Sequence, residues 1–373
     1  MLGVAPRTRR SALAPRLRGA LESLGVTRLA RVTGLDRAGV EVACAVRPLG
    51  HVLQVSNGKG STFAEAARGA LLEAAELAAA EAPGRAFLRW GSAAELAESG
   101  ARLFSPGELG AEGPLSLARM AWVPGRDLPA GRERWVPASA VFCPPADGPF
   151  LGPAAVPWTS NGMGAYFSRA PALLHALLEA AERDRLARAL PEGFTSGRIA
   201  RTLLRPATVA RVAPRTARLA RGLSARGFEV FLFDLSARGE IPVAAALLGD
   251  GREGPVPLTA GYAAGLDPDR ALRSAVLEAA QSRLTDIHGA REDVRPPERL
   301  EAEELLRLCR GARPSRDASA MPRLARPARA LGSLVRILGR GGREIAVVDL
   351  PCPSPGIHVV KVVAPGLRRS ELL

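Results

Sequence analysis

A six-residue segment occurs twice in this sequence and returns a third time in altered form. Residues 71–76 and 177–182 both read LLEAAE, and residues 276–281 read VLEAAQ. Each copy follows a glycine-containing segment, and these segments are SNGKG at 56–60, SNGMG at 160–164 and Gly261-Tyr262. A repeat of this kind indicates one structural unit that is used three times in the chain.

Each unit predicts the same local structure: an extended apolar segment, a turn made by the glycines, and a helix of strong helix formers such as Ala, Leu and Glu. The extended segments are residues 51–55, 154–158 and 255–258. The length of 373 residues allows one large domain or two ordinary ones.

The three predicted helices carry polar residues at positions i and i+3, which share one helix face. These pairs are Glu73 with Glu76, Glu179 with Glu182, and Glu278 with Gln281. Four carboxylates from two equivalent helices would repel one another on convergence, and a divalent cation such as Mg²⁺ would make that convergence favourable. Glycine turns at the helix starts would place backbone N–H groups and Lys59 beside an anion. These features predict a site for Mg²⁺ and a polyphosphate; the alternative is that the glutamates form solvated helix faces.

The basic composition points to another class of protein. The sequence has 51 Lys and Arg against 37 Asp and Glu, a net charge of +14 that is typical of nucleic-acid-binding proteins. Only Lys59 and Lys361 are lysines, so the charge comes from arginines spread along the chain. Aromatic residues make up only 4%, and no helix-turn-helix, zinc-finger or RNP pattern is found. We expect no specific nucleic-acid partner, and a basic nucleic-acid-binding protein remains the second alternative.

The sequence also bears on the compartment. No stretch approaches the roughly 18 uncharged apolar residues of a membrane span, and no apolar signal core follows the N-terminal arginines. The four cysteines are too far apart for a CxxC site and are expected to be reduced. We therefore expect a cytoplasmic protein without a membrane partner.

The repeated units resemble the nucleotide-site segments of the YcaO family of ATP-dependent peptide-modifying enzymes. Residues 31–48 (RVTGLDRAGVEVACAVRP) are similar to the N-terminal strand region of members associated with TfuA-type proteins, and SNGKG with its helix resembles the first segment. Residues 160–184 and 267–293, the latter with the core EAAQSRLT, resemble the second and third segments. Residues 359–367 (VVKVVAPGL) resemble the closing strand and turn.

The resemblance implies an α/β (α+β) fold: one large YcaO-type domain with three strand–glycine loop–helix units around a single nucleotide site. It implies ATP and Mg²⁺ as cofactors, with the metal held by Glu73, Glu76, Glu179 and Glu182. Further nucleotide contacts are implied for Lys59, Asn161, Arg183, Glu278 and Gln281. No catalytic residue is identified. Residues 31–373 would form the YcaO domain after an N-terminal helical segment of residues 1–30, with 291–340 as a surface helix and linker insertion.

The activity that the resemblance implies is phosphorylation of a peptide backbone amide oxygen, which leads to a thioamide or an azoline. The expected substrate is a ribosomally made precursor peptide. Candidate protein partners are a TfuA-like or leader-binding protein and a second copy of the chain in a homodimer.

Three positions depart from the family pattern. Phe167 and Pro171 stand where Asn and Glu are usual in the second segment, and Ser274 stands where Arg is usual in the third. The glutamates predicted to hold the metal are all present, whereas these three polar contacts have changed. The first alternative is therefore a divergent member that binds peptide or a partner without ATP turnover.

Overall fold

Three antiparallel sheets form the framework of the protein in the computed structural model, which describes residues 15–85, 87–153, 156–252, 254–289, 299–324 and 329–368. The first sheet has three strands in sequence order: β1 (Arg28–Arg31), β2 (Glu41–Val46) and β3 (Val55–Gly60). A second three-stranded sheet contains β8 (Phe228–Asp234), β9 (Val243–Asp250) and β10 (Leu258–Ala264), with β9 in the middle.

The largest sheet joins strands from both ends of the chain. Its strands are β4 (Arg89–Gly91), β5 (Met120–Asp127), β6 (Glu133–Pro137), β7 (Met163–Tyr166), β11 (Ala346–Leu350) and β12 (His358–Val363). The order is β4-β5-β11-β12-β7, with β6 also paired to β5. Sheets and helices together confirm the mixed α/β class expected from the sequence.

Three long helices follow one strand of each sheet and contain the repeated hexapeptides. They are α2 (Phe63–Glu81) after β3, α4 (Arg169–Ala189) after β7, and α8 (Pro268–His288) after β10. The caps explain where two of them begin, because Thr62 and Asp267 accept hydrogen bonds from backbone N–H groups three residues on, at 3.3 and 2.9 Å. The helices expected from the sequence are thus present in all three units.

Gly58, Gly164 and Gly261 lie within strands, and the prediction that they form turns before the helices is wrong for these three glycines. Gly162 does lie in a turn, with a φ of 77°. A Cβ on Gly58 would overlap the backbone of Ala66 and Ala70 on α2. Gly164 meets α4 in the same way, and Gly261 meets α8. Glycine is required here because strand and helix backbones approach more closely than any side chain allows.

The three units pack in a ring. Besides its own strand, each long helix contacts the strand of the next unit: α2 contacts β7, α4 contacts β10, and α8 contacts β3. Buried alanines and leucines line these contacts, and Ala66, Leu71, Ala176 and Leu177 are fully buried. Each long helix therefore links its own strand to the strand of the next unit.

The described residues contain seven further α-helices. They are α1 (Pro15–Ser23), α3 (Ala93–Glu98), α5 (Ser196–Thr202), α6 (Pro206–Val212), α7 (Pro214–Ser224), α9 (Arg299–Gly311) and α10 (Ala330–Leu338). Within the segment predicted as an insertion, α9 buries Leu306 and α10 buries Leu334 in the core that also packs on α4. The division of the chain at residue 30 and the insertion at 291–340 stay predictions, and residues 1–14 and 291–298 lie outside the described residues.

Among the described residues, none of the helices has both the length and the apolar character that a membrane crossing requires.

Candidate functional site

Four of the predicted carboxylates are held by backbone amides of the strands. Glu73 and Glu278 accept from amides of their own unit, whereas Glu76 and Glu182 accept from amides of the next unit. The bonds are Asn57 N to Glu73 at 2.5 Å, Ala165 N to Glu76 at 2.8 Å, Ala264 N to Glu182 at 2.8 Å, and Tyr262 N to Glu278 at 3.4 Å. The amides that were expected to face an anion are therefore used to orient glutamates on the inner helix faces.

Burial raises the pKa of three glutamates at this site. Desolvation raises the pKa of Glu179 to about 7, with Glu278 and Glu73 adding to the effect. Desolvation, followed by the charges of Glu278 and Glu179, raises the pKa of Glu182 to about 8. The pKa of Glu76 lies well above its usual range for the same reason and because of Glu179 and Glu73. The predicted carboxylates are thus close enough to act on one another electrostatically.

Arg183 lies beside the second pair of glutamates. Its guanidinium is 3.7 Å from a carboxylate oxygen of Glu179 and 3.7 Å from one of Glu182. Burial opposes its charge, but Glu182, Glu179 and Glu278 outweigh that effect and raise the pKa of Arg183. Its Nε is buried and has no hydrogen-bond partner among the described residues. A buried donor of this kind is costly unless a ligand accepts from it.

A cavity of about 470 Å³ opens onto Arg183. Asn161 and Gly162 line it from the start of the second unit, and Lys361 on β12 lines it together with the C-terminal turn at residues 364–368. The paired glutamates do not line this cavity, nor do Lys59 and Gln281. The structure therefore brings together Asn161 and Arg183 of the predicted nucleotide contacts.

Lys361 is a site residue that the sequence reasoning missed. It is only 4% exposed, it donates to the carbonyl of Thr159, and its ammonium lies 5.2 Å from the ring centre of Trp158. Its charge lowers the pKa of both Glu76 and Glu179. The available signal was compositional, because Lys361 is one of two lysines in a chain whose other basic residues are arginines.

Gln281 lies on α8 of the third unit, and Lys59 contacts the same helix. Lys59 Nζ lies 2.5 Å from a carboxylate oxygen of Glu278, so this glutamate is paired with a cation across the β3–α8 contact. Gln281 is half-buried on α8, and its backbone carbonyl accepts from Thr285 at 3.0 Å. The anion beside Lys59 is thus the carboxylate of Glu278.

The positions that depart from the family pattern lie at the edge of the site. Phe167 is 38% exposed and packs edge-on against Tyr166, and Pro171 falls in the first turn of α4. Arg273, next to Ser274, reaches Ser61 between β3 and α2 at 2.7 Å. None of these side chains supplies the polar contact that the pattern would place there.

The assignment of Glu73, Glu76, Glu179 and Glu182 as metal ligands stays a prediction. Across the described residues, no group of three or more His, Cys, Asp or Glu side chains converges closely enough to hold a metal ion. Glu73, Glu76 and Glu182 each direct an oxygen to a strand amide. The donor set still suits Mg²⁺, because these are buried carboxylates that raise one another's pKa and a cation would relieve that repulsion.

Comparison with known proteins identifies the class. The family model for YcaO cyclodehydratase, ATP- and Mg²⁺-binding, matches residues 57–368. The chain belongs to the YcaO family, as the sequence motifs indicated. The family description also confirms, at the level of the family, ATP and Mg²⁺ as the expected cofactors.

Relatives in other organisms cover most of the chain. An uncharacterized protein from the tfuA 3′ region of Rhizobium leguminosarum bv. trifolii is 30% identical over 98% of this chain and 88% of its own length. An uncharacterized protein of Methanothermobacter thermautotrophicus is 31% identical over 73% of this chain and 69% of its own.

Solved structures share the fold. YcaO from Methanopyrus kandleri, bound with AMPPCP and Mg²⁺, is 25% identical with a TM-score of 0.69, covering 94% of this chain and 88% of that one. A heterocyclase in complex with substrate and cofactor has a TM-score of 0.74 at 21% identity and covers 99% of this chain. This protein spans only 54% of that heterocyclase, so the likeness shows the fold alone.

Proposed function

We propose that this protein uses Mg²⁺ and ATP to activate backbone amides of a ribosomally made precursor peptide, with thioamide formation favoured over azoline formation. The observation that carries the proposal is Arg183. It contacts Glu179 and Glu182, holds a buried donor without a partner, and lines the cavity of about 470 Å³. A guanidinium in this position suits the oxygen atoms of a phosphate.

The residues divide into two groups by charge. Glu73, Glu76, Glu179 and Glu182 would hold Mg²⁺, which when bound would offset the charge of the phosphates. Arg183 and Lys361 supply positive charge at the cavity, and Asn161 supplies an amide. Glu278 is paired with Lys59 at a partly exposed position.

In the proposed reaction a nucleophile adds to an amide carbon of the peptide. The nucleophile is sulfide, or a Cys, Ser or Thr side chain of the peptide itself. The oxygen of the adduct takes the γ-phosphoryl group of ATP, and ADP leaves. Phosphate then leaves with that oxygen as a proton is lost, from nitrogen to form the C=N bond of an azoline or from sulfur to form the C=S bond of a thioamide. Positioning and electrostatic stabilisation are the main contributions that a protein makes to such a transfer. Arg183 and Lys361 are cationic residues that line the cavity where it would occur.

Titration calorimetry tests the proposal. Wild-type protein should bind ATP in the presence of Mg²⁺, and Glu179→Ala should weaken binding by about 10- to 100-fold, since even the hydrogen-bond partners of metal ligands have effects of this size. Glu98→Ala, which removes an exposed glutamate on α3, is the matched control and should bind normally. Absence of nucleotide binding by the wild type, even with Mg²⁺ and the precursor peptide present, would refute the proposal.

Product mass separates the two reactions. An azoline forms with loss of water from the peptide, whereas a thioamide exchanges oxygen for sulfur and requires added sulfide. The relative in a tfuA 3′ region supports a TfuA-like partner and hence the thioamide. Co-purification with a TfuA-like protein encoded nearby would strengthen this choice, and a dehydrated peptide formed without sulfide would reverse it.

A divergent member that binds peptide without turnover is the second candidate, because Phe167 and Pro171 supply no polar group to the site. It predicts nucleotide or peptide binding with no release of phosphate. A phosphate-release assay with the precursor peptide and sulfide decides between the two candidates.

A further inference from the structure

A second cavity, of about 260 Å³, lies at the C-terminal end of α4 and is lined by five arginines. They come from three parts of the chain: α4, α5 and the loop after α9 are brought together beside the end of β8. The arginines are Arg185, Arg188, Arg198, Arg201 and Arg316, and together they define what we call the arginine pocket.

Two of these side chains are held in place by backbone carbonyls. Arg185 donates through Nε to the carbonyl of Leu235, and Arg198 donates through one terminal nitrogen to the carbonyl of Ala189 at 2.6 Å. A guanidinium has five N–H donors in a rigid plane, so one anchoring bond leaves several donors for another partner. Anchored guanidinium groups bind an anion with little further loss of conformational freedom.

The charge of the arginine pocket is incompletely balanced. Arg188 pairs with Asp184 at 2.9 Å, and Arg316 pairs with Asp234 at 2.8 Å. Within the part of the chain that the structure describes, Arg185, Arg198 and Arg201 form no ion pair with a carboxylate. Three cationic groups at one concave surface therefore have no carboxylate partner among the described residues, and a bound anion would supply one.

The arginine pocket and the larger cavity adjoin the same helix. Asp184 accepts a hydrogen bond at 2.9 Å from the backbone N–H of Arg368, a residue that lines the larger cavity. Asp184 also pairs with Arg188 of the arginine pocket. Arg188 of the arginine pocket and Arg368 of the larger cavity are therefore bonded to the same carboxylate, which places the two cavities next to each other.

We infer that the arginine pocket binds a carboxylate-rich segment of the peptide whose amide is modified in the larger cavity. The inference rests on the proposed function for its substrate. A polynucleotide is the less suitable ligand, because the lining of the pocket contains no aromatic side chain on which bases could stack. The pocket thus gives the spread arginine content of the chain one localised role.

Fluorescence anisotropy with a short labelled oligoglutamate peptide tests this inference. The triple variant Arg185→Gln, Arg198→Gln, Arg201→Gln should bind the peptide about tenfold or more weakly, because three charge-assisted contacts are lost. The matched control is Arg215→Gln, Arg218→Gln, Arg221→Gln on α7, which removes the same charge from exposed arginines outside the pocket. The control should change affinity by less than about twofold, since long-range attraction is screened by salt.

Three outcomes would overturn the inference: equal weakening by both triple variants, no binding of oligoglutamate by the wild type, or tighter pocket-dependent binding of labelled oligo-dT. Melting temperature reports whether the triple variant is folded. If it is not, the single charge reversal Arg201→Glu at an exposed side chain replaces it and should still weaken binding.

ATP affinity measured in parallel separates this inference from the proposed function. The pocket variant should bind Mg·ATP normally. Loss of oligoglutamate binding with intact ATP binding supports both, whereas oligoglutamate binding in a protein that never binds ATP contradicts only the nucleotide proposal.

Discussion

The third unit of the ring differs from the first two in charge, although its backbone is built in the same way. In units one and two, Glu76 and Glu182 reach across to strand amides of the next unit. In unit three, Gln281 takes the corresponding position, and Glu278 is paired with Lys59. The units therefore share a scaffold, while only two of them contribute a pair of carboxylates at the i and i+3 positions.

This difference explains how a threefold arrangement can serve one asymmetric site. Three identical acidic pairs would add negative charge without providing a place for a phosphate. Lys59 is paired with Glu278, Arg183 lies beside Glu179 and Glu182, and the first unit adds Glu73 and Glu76, so the three units differ in how their carboxylates are balanced. The cations Arg183 and Lys361 line the adjoining cavity.

The shared scaffold can be broken at its glycines, and this is the largest expected effect. Gly164→Val would force a side chain into the backbone of Ala172 and Ala176. We expect destabilisation of more than about 3 kcal/mol, since the two backbones cannot move apart without opening the core. Thermal unfolding measures it, and Gly58→Val and Gly261→Val should behave alike.

Gly332→Ala on α10 is the control for that experiment, because a Cβ there meets nothing within 4 Å. It should stabilise the helix by about 0.5–1 kcal/mol. Tolerance of valine at Gly164 would mean that the close approach of β7 and α4 is wrong.

The contrast in charge can be tested by pH. Because the pKa of Glu179 is about 7 and that of Glu182 about 8 in the folded protein, the folded state holds protons that unfolded glutamates release above about pH 4.5. Without Mg²⁺, the contribution of these groups to stability should therefore fall as pH rises from about 5 to 8. Melting temperatures across this range check it, and Mg²⁺ should raise the melting temperature most at pH 8.

The double variant Glu179→Gln, Glu182→Gln should remove much of this slope, whereas Gln281→Ala in the third unit should leave it in place. A slope unchanged by the double variant would show that other groups cause the pH dependence.

The smallest expected effect concerns the third unit. Lys59→Met leaves Glu278 without its ammonium partner and should destabilise the protein by about 1 kcal/mol, since the pair is partly exposed to solvent. Adding Glu278→Gln should recover part of that loss. A double-mutant cycle in urea measures the coupling, and additive effects of the two substitutions would mean that the ion pair contributes nothing.

The sequence was sufficient to predict the three helices and the family, because the hexapeptides are local and nearly identical. The prediction of turns was wrong at the glycines, because nothing in the local sequence shows that Ala66 lies against Gly58. The partners of the glutamates could not be predicted either. Glu76 and Ala165 are 89 residues apart, and their hydrogen bond depends on how the units pack. Lys361 was not predicted as a site residue for the same reason, because β12 reaches the site through its pairing with β7 in the large sheet.

The ring also has a consequence for biosynthesis. The side chain of Asn57 on β3 donates at 3.0 Å to Thr285 on α8, across 228 positions of the chain. A ribosome that has completed α2 and α4 has therefore made both acidic pairs but not the helix that closes their surroundings. The nascent chain must keep these glutamates solvated until α8 has emerged. Assembly of the site is thus a late event in synthesis, and a chain that ends before α8 cannot acquire it.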